Sequence, residues 1–267
     1  MKNQNTARPS SYFEAVSATR FQPTIHVGGG WNPAEQHIAP ALGLLAHLVE
    51  AHRDARRQDG LQIGRASYDI YGVLPMEACD VEIEVIRPGK TIELVEARLT
   101  HAGRIGLTMR AWLMAPTQSA KVAGDEFPRL PAPETLPAED MSLVWPGGFV
   151  ESIQLRRNEV VPGNAISWIN SDVQLLAGTS VSPTARMLGL LDTANGVTPR
   201  AQPGEVAFPN IDLTAHLIRQ PAGEWLGFDT KVAFGPTGLG VTHSIVHDTN
   251  GPVAVLSQSL TVRPRMP

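Results

Sequence analysis

Leu42-Gly43-Leu44-Leu45-Ala46 and Leu188-Gly189-Leu190-Leu191-Asp192 are one motif written twice, and that repeat decides the fold. After the first copy come Ser67-Tyr68-Asp69-Ile70 and then Gly103-Arg104-Ile105-Gly106-Leu107-Thr108-Met109-Arg110-Ala111-Trp112. After the second come Asn210-Ile211-Asp212-Leu213 and Gly251-Pro252-Val253-Ala254-Val255-Leu256-Ser257-Gln258-Ser259-Leu260. The blocks keep their order and a similar spacing, so the chain reads as two copies of one supersecondary unit in a pseudo-twofold molecule. Ala46, Ser67 and Arg110 then align with Asp192, Asn210 and Gln258. Only the second copy carries an acid and two amides, which implies one active site per chain.

The 267 residues include 42% apolar ones, enough for a substantial core, and the formal net charge is -4 with both signs dispersed. Such a surface lacks the basic footprint of a nucleic-acid binder. Cys79 is the only cysteine, so no intrachain disulfide forms, in keeping with a reducing cytoplasm. The polar start Met1-Lys2-Asn3-Gln4-Asn5 carries no apolar signal region, and no run is long and apolar enough to span a bilayer. The expectation is a cytoplasmic protein with no nucleic-acid or membrane partner that assembles as a homodimer or homotetramer.

Along the chain, a loose tail up to about Ser10 precedes one strand and a turn over Ser11 to Ile25. Gly28-Gly29-Gly30 is a loop without the Gly-Lys-Ser/Thr of a phosphate cradle. A helix is expected from Asn32, with Pro33 in its first turn, through Leu42, Leu45, Leu48 and Val49 to Arg53–Arg57. Strands follow at Leu61–Leu74, Val81–Ile86, Ile92–Leu99 and Ile105–Met114, as an antiparallel meander. Residues 117–140 form a Pro-rich linker between an N-terminal unit (1–116) and a C-terminal unit (141–267). In the second unit, strands are expected at Phe149–Arg157 and Ala165–Gln174, then a helix opened by Ser182-Pro183 and stopped at Asn195-Gly196. Four more strands cover Ile211–Ile218, Trp225–Ala233, Leu239–His247 and Val253–Val262. Gly235–Gly240 lies between two strands and lacks the dinucleotide-loop spacing. Each half is a helix laid on a meander, and the halves can pair edge to edge.

Several segments together resemble the type II acyl-CoA thioesterase (TesB-like) family. They are Asn210-Ile211-Asp212-Leu213-Thr214-Ala215-His216-Leu217-Ile218-Arg219, Gly223-Glu224-Trp225-Leu226, Gly240, the Asp248–Gly251 turn, Val253–Gln258, and Trp31–His37 ahead of the first helix. The resemblance implies an α+β tandem (double) hotdog, each half an antiparallel sheet wrapped around a central helix. It also implies hydrolysis of an acyl-CoA to a carboxylic acid and coenzyme A. By position, the family's water-holding triad falls on Asp192, Asn210 and Gln258, with Asn210 departing from the Thr of bacterial prototypes. No cofactor beyond the coenzyme A thioester substrate and no metal are expected. His37, Arg87 and Arg219 are the candidate substrate-binding residues, the arginines for the phosphates at the rim. Met187, Trp112 and Trp168 are candidates for setting tunnel depth.

The residues themselves support this chemistry. Thioester hydrolysis needs an oriented water, a proton acceptor and donors for the oxyanion. Asp192 projects on the buried side, in the last turn of its expected helix. Burial and the negative dipole end should both raise its pKa. A local hydrogen bond near Asn195 is the structural alternative. Gln258 shares a strand face with Leu256 and Leu260, as a site residue or as a satisfied core amide. Asn210 follows Pro209 at a strand start, where a plain turn residue would also sit. Asp212 matches Asp69 in the other copy, which marks it as structural. His216, His243 and His247 show no metal-ligand pattern, and no Gly-x-Ser-x-Gly elbow exists. Two other functions fit the fold: non-catalytic acyl-CoA binding, and an enoyl-CoA hydratase. The hydratase needs an Asp paired with a His ahead of the helix, where His37 has no Asp near it in sequence.

Overall fold

The computed structural model describes residues 10–265, so the expected tail lies almost wholly outside the described residues. The first half comprises β1 (Ser11–Ala15), β2 (Arg20–Pro23), α1 (Ile38–Arg56), β3 (Gln62–Ile70), β4 (Cys79–Arg87), β5 (Ile92–His101) and β6 (Arg104–Met114). The second adds β7 (Ala138–Glu139), α2 (Gly148–Glu151), β8 (Gln154–Val161), β9 (Asn164–Asn170), β10 (Gln174–Leu176), α3 (Pro183–Leu188) and β11 (Val206–Ala207). It closes with β12 (Asp212–Leu217), β13 (Leu226–Phe234), β14 (Leu239–Asp248), β15 (Gly251–Thr261) and β16 (Arg263–Pro264). Fourteen strands form one sheet in the order β10-β1-β2-β4-β5-β6-β3-β12-β15-β14-β13-β9-β8-β7, and β11 with β16 makes a separate ribbon. This is a tandem hotdog, with a single hydrophobic cluster running through both halves.

The halves meet at β3 and β12, which pair antiparallel from Asp69↔Asp212 to Arg65↔His216. Ser67 and Thr214 form the middle pair, and their hydroxyls hydrogen-bond at 2.9 Å. The pseudo-twofold therefore relates Ser67 to Thr214 rather than to Asn210. Arg110 opposes Ser67 while Ser257 opposes Thr214, so Gln258 corresponds to Ala111. A one-residue slip changes the face: Arg110 is exposed and bound to Glu96, whereas Gln258 is buried.

Residues 39 to 46 of α1 are buried on every side, as befits a helix wrapped by sheet and a second helix. Its closest neighbour is α3. A side-chain carbon built on Gly43 would lie 2.8 Å from Gly189 Cα and 2.9 Å from the Ala185 carbonyl oxygen. The two Leu-Gly-Leu-Leu copies thus cross glycine upon glycine.

Local detail departs from the sequence reading in four places. Helix α1 begins at Ile38, not Asn32, because 28–36 is held in extended bridges (Gly28↔Gln36, Glu35↔Pro75) and Asn32 Oδ1 accepts from Ala34 N–H instead. Ser11 to Ile25 contains two strands. The segment from Phe149 first turns as α2, and β8 starts only at Gln154. The expected Ala165–Gln174 strand breaks after Asn170, and β10 crosses to pair in parallel with β1 of the first half. The Pro-rich segment is strapped to the second half: Trp168 Nε1–H donates to the Pro131 carbonyl at 2.9 Å, and β7 pairs with β8. Among the described residues no helix is long and apolar enough to cross a membrane.

The glycine crossing yields a signed prediction. Gly43→Ala in a mid-helix position gains up to about 1 kcal/mol of helix propensity, yet its Cβ would overlap backbone that cannot swing aside. We expect a net destabilisation of about 1–3 kcal/mol in urea melts. An unchanged or higher midpoint would show that the crossing is loose.

Candidate active site

Beyond Gly189 the chain tightens. Leu190 N–H bonds the Met187 carbonyl, Thr193 N–H bonds that of Leu190, and Leu191–Thr193 form a 3-10 turn that carries Asp192. Asp192 therefore lies outside α3, and the helix-dipole argument for its pKa lapses. Its side chain is 7% exposed. Asn210, just ahead of β12 and bridged to Leu260 of β15, donates from Nδ2 to Asp192 Oδ1 at 2.7 Å. Gln258, on β15, donates from Nε2 to the same oxygen at 3.0 Å. The three residues picked out from sequence come together. Both amides grip one carboxylate oxygen, and Oδ2 is left open. The Gln258 carbonyl oxygen is buried without a partner among the described residues.

His37 completes the cluster from the opposite half. As N-cap of α1, its Nδ1 accepts from Ala39 N–H at 3.2 Å, and its ring stacks on Phe149 at 4.2 Å. Nδ1 also lies 3.8 Å from Asp192 Oδ2. Burial pushes the His37 pKa down to about 3, so the ring is neutral and this contact is no ion pair. With Nδ1 accepting, the ring proton sits on Nε2. Burial pushes the Asp192 pKa up to about 7, against the lowering effect of the Asn210 and Gln258 hydrogen bonds.

Asp192, Asn210 and His37 open into a cavity of about 480 Å³ whose walls come from both halves, and Gln258 lies behind them. Residues 29–38 and 70–74 contribute from the first, and Trp145, Phe149, Asp192, Phe208 and Asn210 from the second. Apolar aromatic walls around the partly neutralised Asp192, with Glu35 as the second carboxylate of the lining, suit an acyl chain attached to a reactive carbonyl. The pseudo-twofold counterpart of this opening is bridged shut. There Ser182 Oγ donates to Glu50 at 2.5 Å, Thr184 Oγ1 donates to Gln220 Oε1 at 2.6 Å, and Gln220 Nε2 donates to the Ile63 carbonyl at 3.1 Å.

Other sequence candidates fall elsewhere. Arg219 is locked in a two-pronged pair with Asp248, both contacts at 2.6 Å, and does not line the cavity. Arg87 turns back onto the Ile92 carbonyl beside Trp112, also away from it. Neither is placed to hold phosphates at its rim. Met187, Trp112 and Trp168 do not line it either. Asp212 accepts from Ser259 N–H within its own half, a structural role. Sequence reasoning missed the closeness of His37 to Asp192, which only the pairing of halves creates. It also missed Arg263, which lines the cavity from a two-residue strand too short to carry a periodic signal.

Fold and cavity together define a double hotdog with one cavity shared by two unequal halves. Family comparison gives the class as a thioester hydrolase. The acyl-CoA thioesterase N-terminal domain matches residues 27–114 and the acyl-CoA thioesterase C-terminal domain matches residues 125–262, and the chain belongs to this family. Among solved structures, a candidate thioesterase from Novosphingobium aromaticivorans is 17% identical with a TM-score of 0.73, over 94% of this chain and 98% of that one. A hot dog protein of unknown function from Alicyclobacillus acidocaldarius is 14% identical with a TM-score of 0.72, over 95% and 96%. Acyl-CoA thioesterase II from Mycobacterium marinum is 15% identical with a TM-score of 0.64, again over 95% and 96%. No curated protein matches the chain.

The raised pKa of Asp192 carries a stability consequence. The folded state favours the protonated acid, so its contribution is fully present below the unfolded pKa near 4 and is lost as pH rises through about 7. Asp192→Asn keeps the shape without the charge. Urea melts should show it gaining on the wild type between pH 4 and 7, by up to about 4 kcal/mol, and levelling off above. A difference independent of pH would contradict the shift.

Proposed function

We propose that the cavity hydrolyses acyl-CoA thioesters with Asp192 as the general base. The carrying observation is the division of labour on its carboxylate: Oδ1 is held by Asn210 and Gln258, and Oδ2 has no hydrogen-bond donor among the described residues, while the residue lines the cavity. A water on Oδ2, with the Gln258 carbonyl oxygen as a second acceptor, attacks the thioester carbon while Oδ2 takes its proton. The carbonyl oxygen becomes an oxyanion, supported by the first turn of α1 at Ile38 and by the Nε2–H of His37. Collapse breaks the C–S bond, and the leaving thiolate recovers the proton from Asp192. The products are a carboxylic acid and coenzyme A.

A hydratase would need His37 to accept a proton from the substrate. An Asp does stand beside His37 in space, yet the Ala39 N–H already occupies Nδ1 and leaves an N–H on the other nitrogen. That ring is a donor, which favours hydrolysis.

Thiol release from a panel of acyl-CoAs tests the reading. The wild type should release thiol with a kcat/KM that rises through about pH 7 and then levels, as the base ionises. Asp192→Asn should lower it by roughly 10²–10⁴-fold. Gln258→Leu removes one donor that stabilises the carboxylate, so the surviving activity should titrate at a higher pH. Acyl-CoA bound without release, or activity indifferent to Asp192→Asn, would contradict the proposal.

A further inference from the structure

An acyl-CoA carries its reactive carbonyl at one end and phosphates at the other, joined by a flexible arm. With Arg87 and Arg219 committed elsewhere, Arg263 is the one Lys or Arg among the described residues lining the cavity. Its position follows from the strand that builds the catalytic floor. Gln258 lies towards the C-terminal end of β15, Leu260 stands opposite Asn210, and Arg263 stands opposite Ala207 in the β11–β16 ribbon. At about 3.3 Å per residue, the five-residue step from Gln258 to Arg263 spans at most about 17 Å. The chain thus runs from the amide gripping Asp192, through the end of β15 and into β16, to a guanidinium on the cavity lining. Arg265 follows just beyond β16, and its guanidinium lies 5.9 Å from the centre of the Trp31 ring. Trp31 itself lines the cavity and is 40% exposed. Both arginines are exposed, and neither pairs with a carboxylate among the described residues, unlike Arg219 with Asp248.

We propose that the β16 ribbon is the phosphate-binding lip of the site, with Arg263 and Arg265 holding the phosphates of coenzyme A and Trp31 orienting Arg265. This rests on the thioesterase reading and extends it to the nucleotide end of the substrate. Guanidinium forks match phosphate oxygens and bind them with charge-assisted hydrogen bonds. The cationic footprint is small, one side chain on β16 and one just beyond it, which fits a nucleotide. A net charge of -4 disfavours an acidic acyl-carrier protein as the source of the thioester.

The test compares one acyl group carried on coenzyme A, on pantetheine without the nucleotide, and on a phosphopantetheinylated carrier protein. In the wild type, coenzyme A should be preferred over pantetheine in KM. In the Arg263→Ala/Arg265→Ala double variant, the ratio of kcat/KM for acyl-CoA over acyl-pantetheine should fall by roughly tenfold or more. The loss should lie in KM, and hydrolysis of acyl-pantetheine reports that the variant is folded. An unchanged ratio, a loss confined to kcat, or a loss seen only with the carrier protein would overturn the lip. Calorimetric binding of free coenzyme A keeps the two readings apart. If no thioester is hydrolysed but the double variant binds coenzyme A at least roughly tenfold more weakly, the hydrolytic reading fails and the lip stands. If coenzyme A binds both proteins equally, the lip fails whatever the activity.

Discussion

Gly43 and Gly189 touch across the pseudo-twofold axis, and the position of everything catalytic follows from that contact. Side chains at this crossing would hold α1 and α3 apart, because a carbon on Gly43 meets backbone rather than a movable side chain. With hydrogen in their place, α3 can end against α1 and the next few residues must tighten into the Leu191–Thr193 turn. That turn delivers Asp192 beneath the start of α1, where His37 caps the helix. The same glycines that mark the duplication in sequence therefore fix where Asp192 stands relative to His37 and the start of α1.

A carboxylate in such a place is costly, and its neighbours only partly offset the cost. Two amide donors stabilise the anion, burial opposes them, and the balance falls near neutral pH. A stronger set of donors would hold the acid ionised but make it a poorer base; none would leave it protonated. Duplication gives the freedom to do this once. In the other half the counterpart of Gln258 is Ala111, and the opening is bridged by Glu50–Ser182 and Gln220–Ile63 contacts that strengthen the union of halves. One copy keeps the chemistry and the other stabilises the interface, which accounts for the asymmetry of the repeat.

Much of this was legible from sequence because it rests on local signals. Alternation defined the long strands, Ser182-Pro183 defined the start of α3, and the asymmetry of the repeat with the resemblance to the thioesterase family singled out Asp192 and Gln258. What escaped depends on contacts between distant segments. The start of α1 moved because 28–36 is tied to Pro75, a bond no helix signal reveals. Strand β10 pairs across the halves, which a period of two cannot show. The alignment of Ser67 with Asn210 was replaced by Ser67 with Thr214 once register was known. Arg87 and Arg219 read as free cations in sequence, but folding ties Arg219 to Asp248 and turns Arg87 back onto the Ile92 carbonyl.

The central claim is that Oδ2 of Asp192 handles a water and does not itself attack the carbonyl. Single-turnover hydrolysis in oxygen-18 water, with enzyme in excess, follows the attacking oxygen. Mass spectrometry should find the heavy oxygen in the carboxylic acid after one turnover and none in the peptide that contains Asp192. An unlabelled acid, with the label in that peptide, would mean that the carboxylate forms a covalent anhydride and that the account of its two oxygens is wrong.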